Sequence, residues 1–101
     1  MARVIGTVIP SEARDLGRVH SDRRYFVYVM SSTSRVLYVG GTSDLVRRVY
    51  QHKNGLIPGF TTRYAVTQLV YYDCTPNAAA MVARERQLKR WTREKKIRLI
   101  E

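Results

Sequence analysis

Cysteine, proline and negative charge are all scarce in this chain. Its 101 residues include one cysteine, three prolines and eight acidic residues. Because Cys74 is alone, an internal disulfide and a zinc site of several thiolates are both excluded. No apolar run approaches the length that spans a bilayer, and the first residues lack the charged-then-apolar order of a signal peptide. We therefore expect a soluble, cytoplasmic protein with no membrane contact.

Positive charge is what the chain has in excess. Eighteen Lys and Arg residues against eight Asp and Glu give a formal net charge of +10. Such a surplus in one small domain indicates a polyanionic partner. Nucleic acid fits this charge better than a membrane surface does. We expect a DNA partner, with RNA not excluded.

The chain divides into two unequal parts. Residues 1–24 show neither helical periodicity nor sustained alternation, apart from a short apolar run that contains Gly6 and ends at Pro10. We expect this part to be a flexible or loosely attached extension. Residues 25–101 are long enough for one modest core and form the predicted domain.

Two neighbouring segments predict a β-hairpin. Residues 25–30 and 36–40 are rich in β-branched and aromatic residues, and a short Ser/Thr-rich turn separates them. Alternation puts Tyr28 on one face of its strand, where its hydroxyl can approach that of Tyr38. Tyrosines in strands usually serve packing, so a structural role is the alternative.

The helix predicted over residues 44–53 carries an unusual stripe. Leu45, Arg48, Val49 and His52 fall at i, i+3, i+4 and i+7, so an arginine and a histidine share the inward face. Arg is rarely buried without a partner. The alternative is that Arg48 extends its charged end to the surface and His52 simply lies at the helix end.

Two further segments complete the predicted sheet and its connection. Residues 56–64 form a loop that holds hydroxyls, Arg63 and two aromatics, and it is either an ordinary connection or a contact for a sugar-phosphate backbone. Residues 67–73 alternate as a third strand. We expect Leu69 and Tyr71 on one side of this strand and Val70 and Tyr72 on the other.

The second predicted helix, from Asn77 to about Trp91, places a carboxylate on its inward face. Met81 and Leu88 define the apolar stripe, and Glu85 lies between them at i+4 from Met81. A carboxylate directed into a protein needs a cation. The candidates are a salt bridge to Arg48 and a bound divalent metal ion.

Basic residues are densest at the end of the chain. Eight basic and two acidic residues lie between positions 84 and 98. Such a run is usually a solvated face, but its density in this chain favours contact with phosphates. The residues that we expect to bind nucleic acid are Arg47, Lys53, Arg63, Arg84, Lys89, Arg90, Arg93, Lys95 and Lys96.

Together these residues resemble the GIY-YIG nuclease superfamily, in particular its small stand-alone bacterial members. The resemblance covers residues 25–101 in the family's order and spacing. It is carried by Val27-Tyr28, Tyr38-Val39-Gly40, Leu45-Val46-Arg47-Arg48 with His52, and Ala83-Arg84-Glu85. It implies an α+β fold, with a small three-stranded antiparallel sheet flanked by helices.

The resemblance also implies a set of catalytic residues and a cofactor. Tyr28 and Tyr38 correspond to the two motif tyrosines, Arg48 to the phosphate-binding arginine and Glu85 to the ligand of one divalent metal ion, Mg or Mn. His52 resembles a histidine that helps to activate a tyrosine in a subset of members. No small-molecule cofactor is implied.

Three departures from the family pattern bear on the chemistry. Phe26 replaces the glycine of the first triplet, and Gly41 stands where some members have a lysine. No asparagine follows Asn77 to play the supporting role found in several relatives. Stabilisation of the transition state would then depend more heavily on Arg48 and the metal ion.

The expected function is a metal-dependent endonuclease. It would hydrolyse phosphodiester bonds of DNA with low sequence specificity, on single-stranded or branched substrates, and act as a monomer. We expect Tyr28 to be the general base with its proton accepted by His52, although the choice between Tyr28 and Tyr38 stays open. The alternatives are a non-catalytic DNA- or RNA-binding module, in which Glu85 pairs with Arg48, and a protein-interaction domain.

Overall fold

The predicted β-hairpin lies at the centre of an α+β fold. The computed structural model describes residues 2–3 and 24–101. Its elements in chain order are β1 (Ala2–Arg3), β2 (Tyr25–Ser31), β3 (Leu37–Thr42), α1 (Leu45–Lys53), α2 (Phe60–Arg63), β4 (Gln68–Thr75), α3 (Ala78–Arg90) and α4 (Arg93–Ile100). The expected sheet flanked by helices is confirmed.

The strands of the described residues form one antiparallel sheet in the order β1-β4-β2-β3. The three predicted strands are its body, and the two-residue β1 adds to the free side of β4. Strand β3 is the opposite edge, and in its pairing with β2 Tyr28 lies directly across from Gly40. Residues 4–23 lie outside the described residues, so the proposed flexibility of residues 1–24 stays a prediction.

A β-bulge in β4 makes one expectation wrong. Val29 pairs with Tyr71, but the next residue, Met30, pairs with Leu69, so Val70 is an extra residue in its strand. The extra residue reverses the alternation at this point. Leu69 therefore shares a cluster with Tyr72, and Val70 shares the other cluster with Tyr71.

Each face of the sheet carries its own hydrophobic cluster. Helix α1 packs on the face of Tyr28, in a cluster formed by Phe26, Tyr28, Met30, Leu45, Val49, Val66, Leu69 and Tyr72. Helices α3 and α4 contribute to the cluster on the other face, formed by Val27, Val29, Val39, Val70, Tyr71, Leu88 and Ile100. The sheet is thus covered on both sides, which makes burial of nearly all of β2 favourable.

Side-chain caps fix the starts of the longer helices. Asp44 Oδ1 accepts a hydrogen bond from the Arg47 backbone N–H, and Asn77 caps α3 in the same way through Oδ1. Trp91 is extended and Thr92 caps α4, so the basic segment 84–98 is divided between two helices. None of the helices in the described part of the chain is long and apolar enough to cross a membrane.

Candidate active site

The innermost part of the site is a buried hydrogen bond between Tyr28 and His52. The phenol oxygen of Tyr28 lies 2.8 Å from Nε2 of His52. Tyr28 is 1% exposed and His52 is 2% exposed. His52 reaches this position because it follows Leu45 and Val49 along the buried stripe of α1. The alternative in which His52 merely lies at the helix end is therefore wrong.

Burial keeps both members of this pair neutral. It raises the pKa of Tyr28 well above the ordinary value, and the neighbouring Tyr38 and Glu85 raise it further, while Arg48 acts to lower it. Burial, with a smaller effect of Arg48, lowers the pKa of His52 from 6.5 to about 4. At neutral pH the site therefore contains a phenol next to an uncharged imidazole.

The second motif tyrosine lies against this pair. The ring of Tyr38 is 6.3 Å from that of Tyr28 and 5.3 Å from the imidazole of His52, between ring centroids. Unlike Tyr28, Tyr38 is only half-buried. Of the two tyrosines, Tyr38 is therefore the one with access to solvent.

Two glycines in β3 bring the tyrosines and the carboxylate close to the same strand. A Cβ added to Gly40 would lie 2.6 Å from the phenol oxygen of Tyr28 and 2.9 Å from Cε2 of Tyr38. A Cβ added to Gly41 would lie 2.6 Å from Oε1 of Glu85 and even closer to Sδ of Met81. Successive residues of a strand face opposite sides, so these contacts lie on the two sides of an edge strand.

Gly41 is a position of the candidate site that the sequence does not predict. The sequence shows it only as the place of a missing lysine, whereas in the structure a side chain there would displace Glu85 or Met81. The only signal in the sequence is the Gly40-Gly41 pair near the end of a strand, where glycine often marks close approach of another group.

Glu85 faces inward as predicted, and of the two partners considered for it the salt bridge to Arg48 does not form. Met81 and Glu85 are half-buried and Leu88 is fully buried, which confirms the stripe. Oε2 of Glu85 forms an ion pair with Nζ of Lys89 at 2.7 Å, and no ion pair with Arg48 occurs among residues 24–101. The salt bridge considered from sequence is thus replaced by an i,i+4 pair within α3.

Arg48 is half-buried beside an open pocket at the start of α1. The pocket has a volume of about 320 Å³. Its lining is almost entirely polar and consists of Thr42, Ser43, Asp44, Arg47, Arg48 and Gln51. Arg48 also acts on the pKa of both Tyr28 and His52, so its charge reaches the buried pair. Arg48 thus lies both at this pocket and near the Tyr28–His52 pair.

The predicted nucleic-acid-binding residues differ in their surroundings. Those that are exposed are Arg47, Lys53, Arg63, Lys89, Arg90, Arg93 and Lys95, whereas Arg84 and Lys96 are half-buried. Arg84 contacts Asp73 and Gln87, and both Arg84 and Lys95 lie over the ring of Trp91. Arg93 donates a hydrogen bond to the backbone carbonyl of Arg35. Their contact with nucleic acid stays a prediction.

The fold is that of a small α+β domain with tyrosines, a histidine, an arginine and a carboxylate near one edge strand. A family model described as the GIY-YIG catalytic domain matches residues 24–98. The chain belongs to this family, in which the catalytic domain is that of a nuclease, and the resemblance noted from sequence is confirmed.

Similar proteins agree with this assignment. A UPF0213 protein of Haloquadratum walsbyi is 36% identical over 77 residues, which are 76% of this chain and 86% of the relative. A UPF0213 protein of Clostridium perfringens is 32% identical over 75 residues, which are 74% of this chain and 81% of the relative. The names of these relatives state no activity.

A solved structure has the same fold. The solution NMR structure of a UPF0213 protein from Bacillus halodurans matches with a TM-score of 0.50 and 26% sequence identity. The match covers 76% of this chain and 82% of that chain. The predicted fold class is therefore supported by a structure as well as by the family.

Proposed function

We propose that this protein is a metal-dependent endonuclease that hydrolyses phosphodiester bonds of DNA with low sequence specificity. We also propose that the protein acts as a monomer and that it is located in the cytoplasm. The endonuclease proposal rests on one observation: Tyr28 and His52 form a buried hydrogen bond, and Arg48 and Glu85 lie close enough to affect the pKa of Tyr28. A base, a phosphate-binding cation and a carboxylate are the groups that phosphodiester hydrolysis requires.

Arg48 is the residue that binds the phosphate in this proposal. Its guanidinium has a planar fork that matches two phosphate oxygens. The polar pocket beside it is open and contains the further cation Arg47. Negative charge that develops on the phosphoryl oxygens would be stabilised here without any movement of the backbone.

Tyr28 and His52 carry out the proton transfers in this proposal. His52 is uncharged at neutral pH, so its Nε2 can accept the proton of Tyr28 at 2.8 Å, although its lowered pKa of about 4 makes it a weak base. Tyr28 would in turn remove a proton from the attacking water. The raised pKa of Tyr28 opposes this step, so bound positive charge is needed near the phenol.

Tyr38 is the candidate that contacts water or the leaving oxygen. It is half-buried, and its ring lies next to those of Tyr28 and His52. We propose that it orients the attacking water, or assists at the departing oxygen, while Tyr28 acts on the proton.

Glu85 is a suitable single ligand for Mg or Mn. Its Oε1 faces the space that Gly41 leaves by having no side chain. Mg²⁺ is often held by one or two carboxylates, with water and substrate phosphates completing the coordination. No group of three or more His, Cys, Asp and Glu residues suited to a metal occurs in the described ranges, which fits a site with a single protein ligand. When bound, the ion would supply Lewis-acid stabilisation of the phosphate and offset the charge of Glu85 near Tyr28.

The test is cleavage of end-labelled single-stranded and duplex DNA, with Mg or Mn and with chelator. We expect metal-dependent cutting that Glu85→Gln abolishes. Glu94→Gln, which removes an exposed carboxylate from α4, is the matched control and should keep its activity. Salt-sensitive DNA binding without cutting by the wild-type protein would contradict the proposal and favour a binding module, in which Lys89 is the structural partner of Glu85.

A second pair of variants tests the role of the buried hydroxyl. Tyr28→Phe keeps the ring in the core but removes the proton donor, and we expect it to lower kcat at least a hundredfold. Tyr50→Phe removes a solvent-exposed hydroxyl from α1 and should leave kcat unchanged. Equal rates for Tyr28→Phe and the wild-type protein would exclude Tyr28 as the base.

A further inference from the structure

At the short helix α2 a polar residue is buried and two aromatic residues are exposed, which is the reverse of the usual pattern. Thr61 is 3% exposed, whereas Phe60 and Tyr64 on either side of it are 47% and 43% exposed. Large aromatics normally contribute most to the core, and threonine is usually outside. Packing alone does not explain why this segment buries the threonine and leaves both rings in solvent.

The two exposed rings continue a row of aromatics that begins inside the active site. The ring of Phe60 is 6.4 Å from that of Tyr38, and the ring of Tyr64 is 4.8 Å from that of Phe60, between centroids. We call Tyr38, Phe60 and Tyr64 the aromatic row. It runs from Tyr38, the motif tyrosine next to the buried Tyr28–His52 pair, out to the surface.

Local hydrogen bonds fix the segment that carries Phe60 and Tyr64. The hydroxyl of Thr62 donates to the carbonyl of Ile57 at 2.6 Å, and the N–H of Val66 donates to the carbonyl of Thr61 at 2.9 Å. Gly59 starts the turn with a φ of 107°, a conformation that favours glycine. The Phe60 and Tyr64 rings are therefore presented by an ordered turn whose anchor is the buried Thr61.

The charge around the row indicates what it binds. The guanidinium of Arg63 lies 5.5 Å from the centre of the Tyr64 ring, and the whole chain carries a net charge of +10. Flat apolar ring faces beside cations suit a ligand with a π-face and a negatively charged backbone. Inside a duplex both faces of a base are covered by its neighbours, so away from the duplex ends only an unpaired base can stack on these rings.

We propose that Phe60 and Tyr64 form a stacking site for an unpaired base of a single-stranded nucleic acid, next to the phosphate held at the active site. The proposal rests on the endonuclease function proposed above and assigns it a substrate class. The site selects strands with free bases, because the interior of a duplex offers the rings no exposed π-face. Arg63 contacts the phosphate that belongs to the stacked nucleotide.

Binding without cleavage separates this proposal from the catalytic one. Affinity of the full chain is measured by fluorescence anisotropy in chelator, for short labelled oligo-dT, oligo-rU, an abasic strand of equal length and a duplex. Phe60→Leu and Tyr64→Leu keep apolar volume but remove the π-face. Tyr50→Leu is the matched control, since Tyr50 is 61% exposed on α1. Thermal unfolding checks that each variant is folded.

We expect Phe60→Leu and Tyr64→Leu each to bind oligo-dT about tenfold more weakly. Their affinity for the abasic strand and for the duplex should match the wild-type values, Tyr50→Leu should be unchanged, and Phe60→Trp should bind oligo-dT at least as well as wild type. A comparable loss with oligo-rU would extend the site to RNA. Equal losses on oligo-dT and the abasic strand, no loss at all, or self-association that the leucine variants abolish would overturn the proposal, whether or not the protein cuts DNA.

Discussion

At the scale of single residues, the uncharged state of His52 is the property most open to measurement. Its ring is buried, its Nε2 is used by Tyr28, and no partner for its Nδ1 occurs among the described residues. Protonation would place a positive charge in this buried site, close enough to Arg48 for its charge to matter. The imidazole of His52 is therefore harder to protonate in the folded protein than in the unfolded chain.

This difference predicts a loss of stability on acidification. The pKa of His52 is about 4 in the folded state against 6.5 in the unfolded chain. Above pH 6.5 the residue is neutral in both states and its contribution is complete. As the pH falls from 6.5 towards 4, the unfolded state binds the proton first, so the free energy of unfolding decreases.

The measurement is urea unfolding of the wild-type protein and His52→Gln at several pH values between 7 and 4. Acidic residues titrate in both proteins, so the difference between the two profiles isolates His52. We expect the wild-type advantage to shrink steadily as the pH is lowered through this window. Parallel profiles would contradict the burial of a neutral imidazole.

Individual residues differ in how well sequence predicts them. The sequence predicts the inward positions of Arg48 and His52, because helical periodicity places them on the stripe of Leu45 and Val49. The sequence does not predict the contact between Gly41 and Glu85, since a glycine carries no side chain to indicate its neighbour. Position along a helix is a local property, whereas close approach of two elements depends on the complete fold.

At the scale of elements, two adjacent glycines in the edge strand β3 have different neighbours. The space beside Gly40 is filled by the rigid, buried ring of Tyr28, and the space beside Gly41 is filled by the flexible ends of Met81 and Glu85. The same added methyl group should therefore lower stability at Gly40, where it also displaces the hydroxyl of Tyr28, and should mainly lower activity at Gly41.

Alanine substitutions at these two positions give a matched test. Gly40→Ala should lower the free energy of unfolding by about 1–3 kcal/mol, because a buried tyrosine must shift. Gly41→Ala should change stability less, since Glu85 and Met81 can move, but should lower kcat by displacing the carboxylate. Urea unfolding and cleavage assays check both variants, and normal activity in a folded Gly41→Ala protein would contradict the placement of Glu85.

The elements also show where local patterns stop being sufficient. The hairpin and α1 follow from alternation, a turn and an Asp cap that are adjacent in the sequence. The bulge at Val70 does not, because the extra residue is defined only by pairing with β2, more than 35 residues earlier in the chain. One such residue was enough to exchange the expected faces of Tyr71 and Tyr72.

At the scale of the whole molecule, strand β3 connects the site to part of the basic surface. The Gly41 end of the strand contacts Glu85, while Leu37 at its other end lines a pocket with Arg93 and Lys96 of α4. Four residues of a strand span roughly 13 Å. A nucleic acid bound along this edge would thus meet the catalytic residues and these two cations together.

Salt dependence of binding tests this arrangement. Each phosphate neutralised on a single strand contributes about 0.7 to the slope of log affinity against log salt concentration. Replacing Arg93 and Lys96 together by Gln should therefore reduce the slope for oligo-dT by about 1.4. The control replaces Arg86 of α3 and Arg98 of α4, two exposed arginines that do not line the pocket beside β3. Both variants lose the same charge, so a general effect of net charge would reduce both slopes equally and contradict binding along β3. A large reduction confined to the Arg93 and Lys96 variant would identify this edge of the sheet as the nucleic-acid interface.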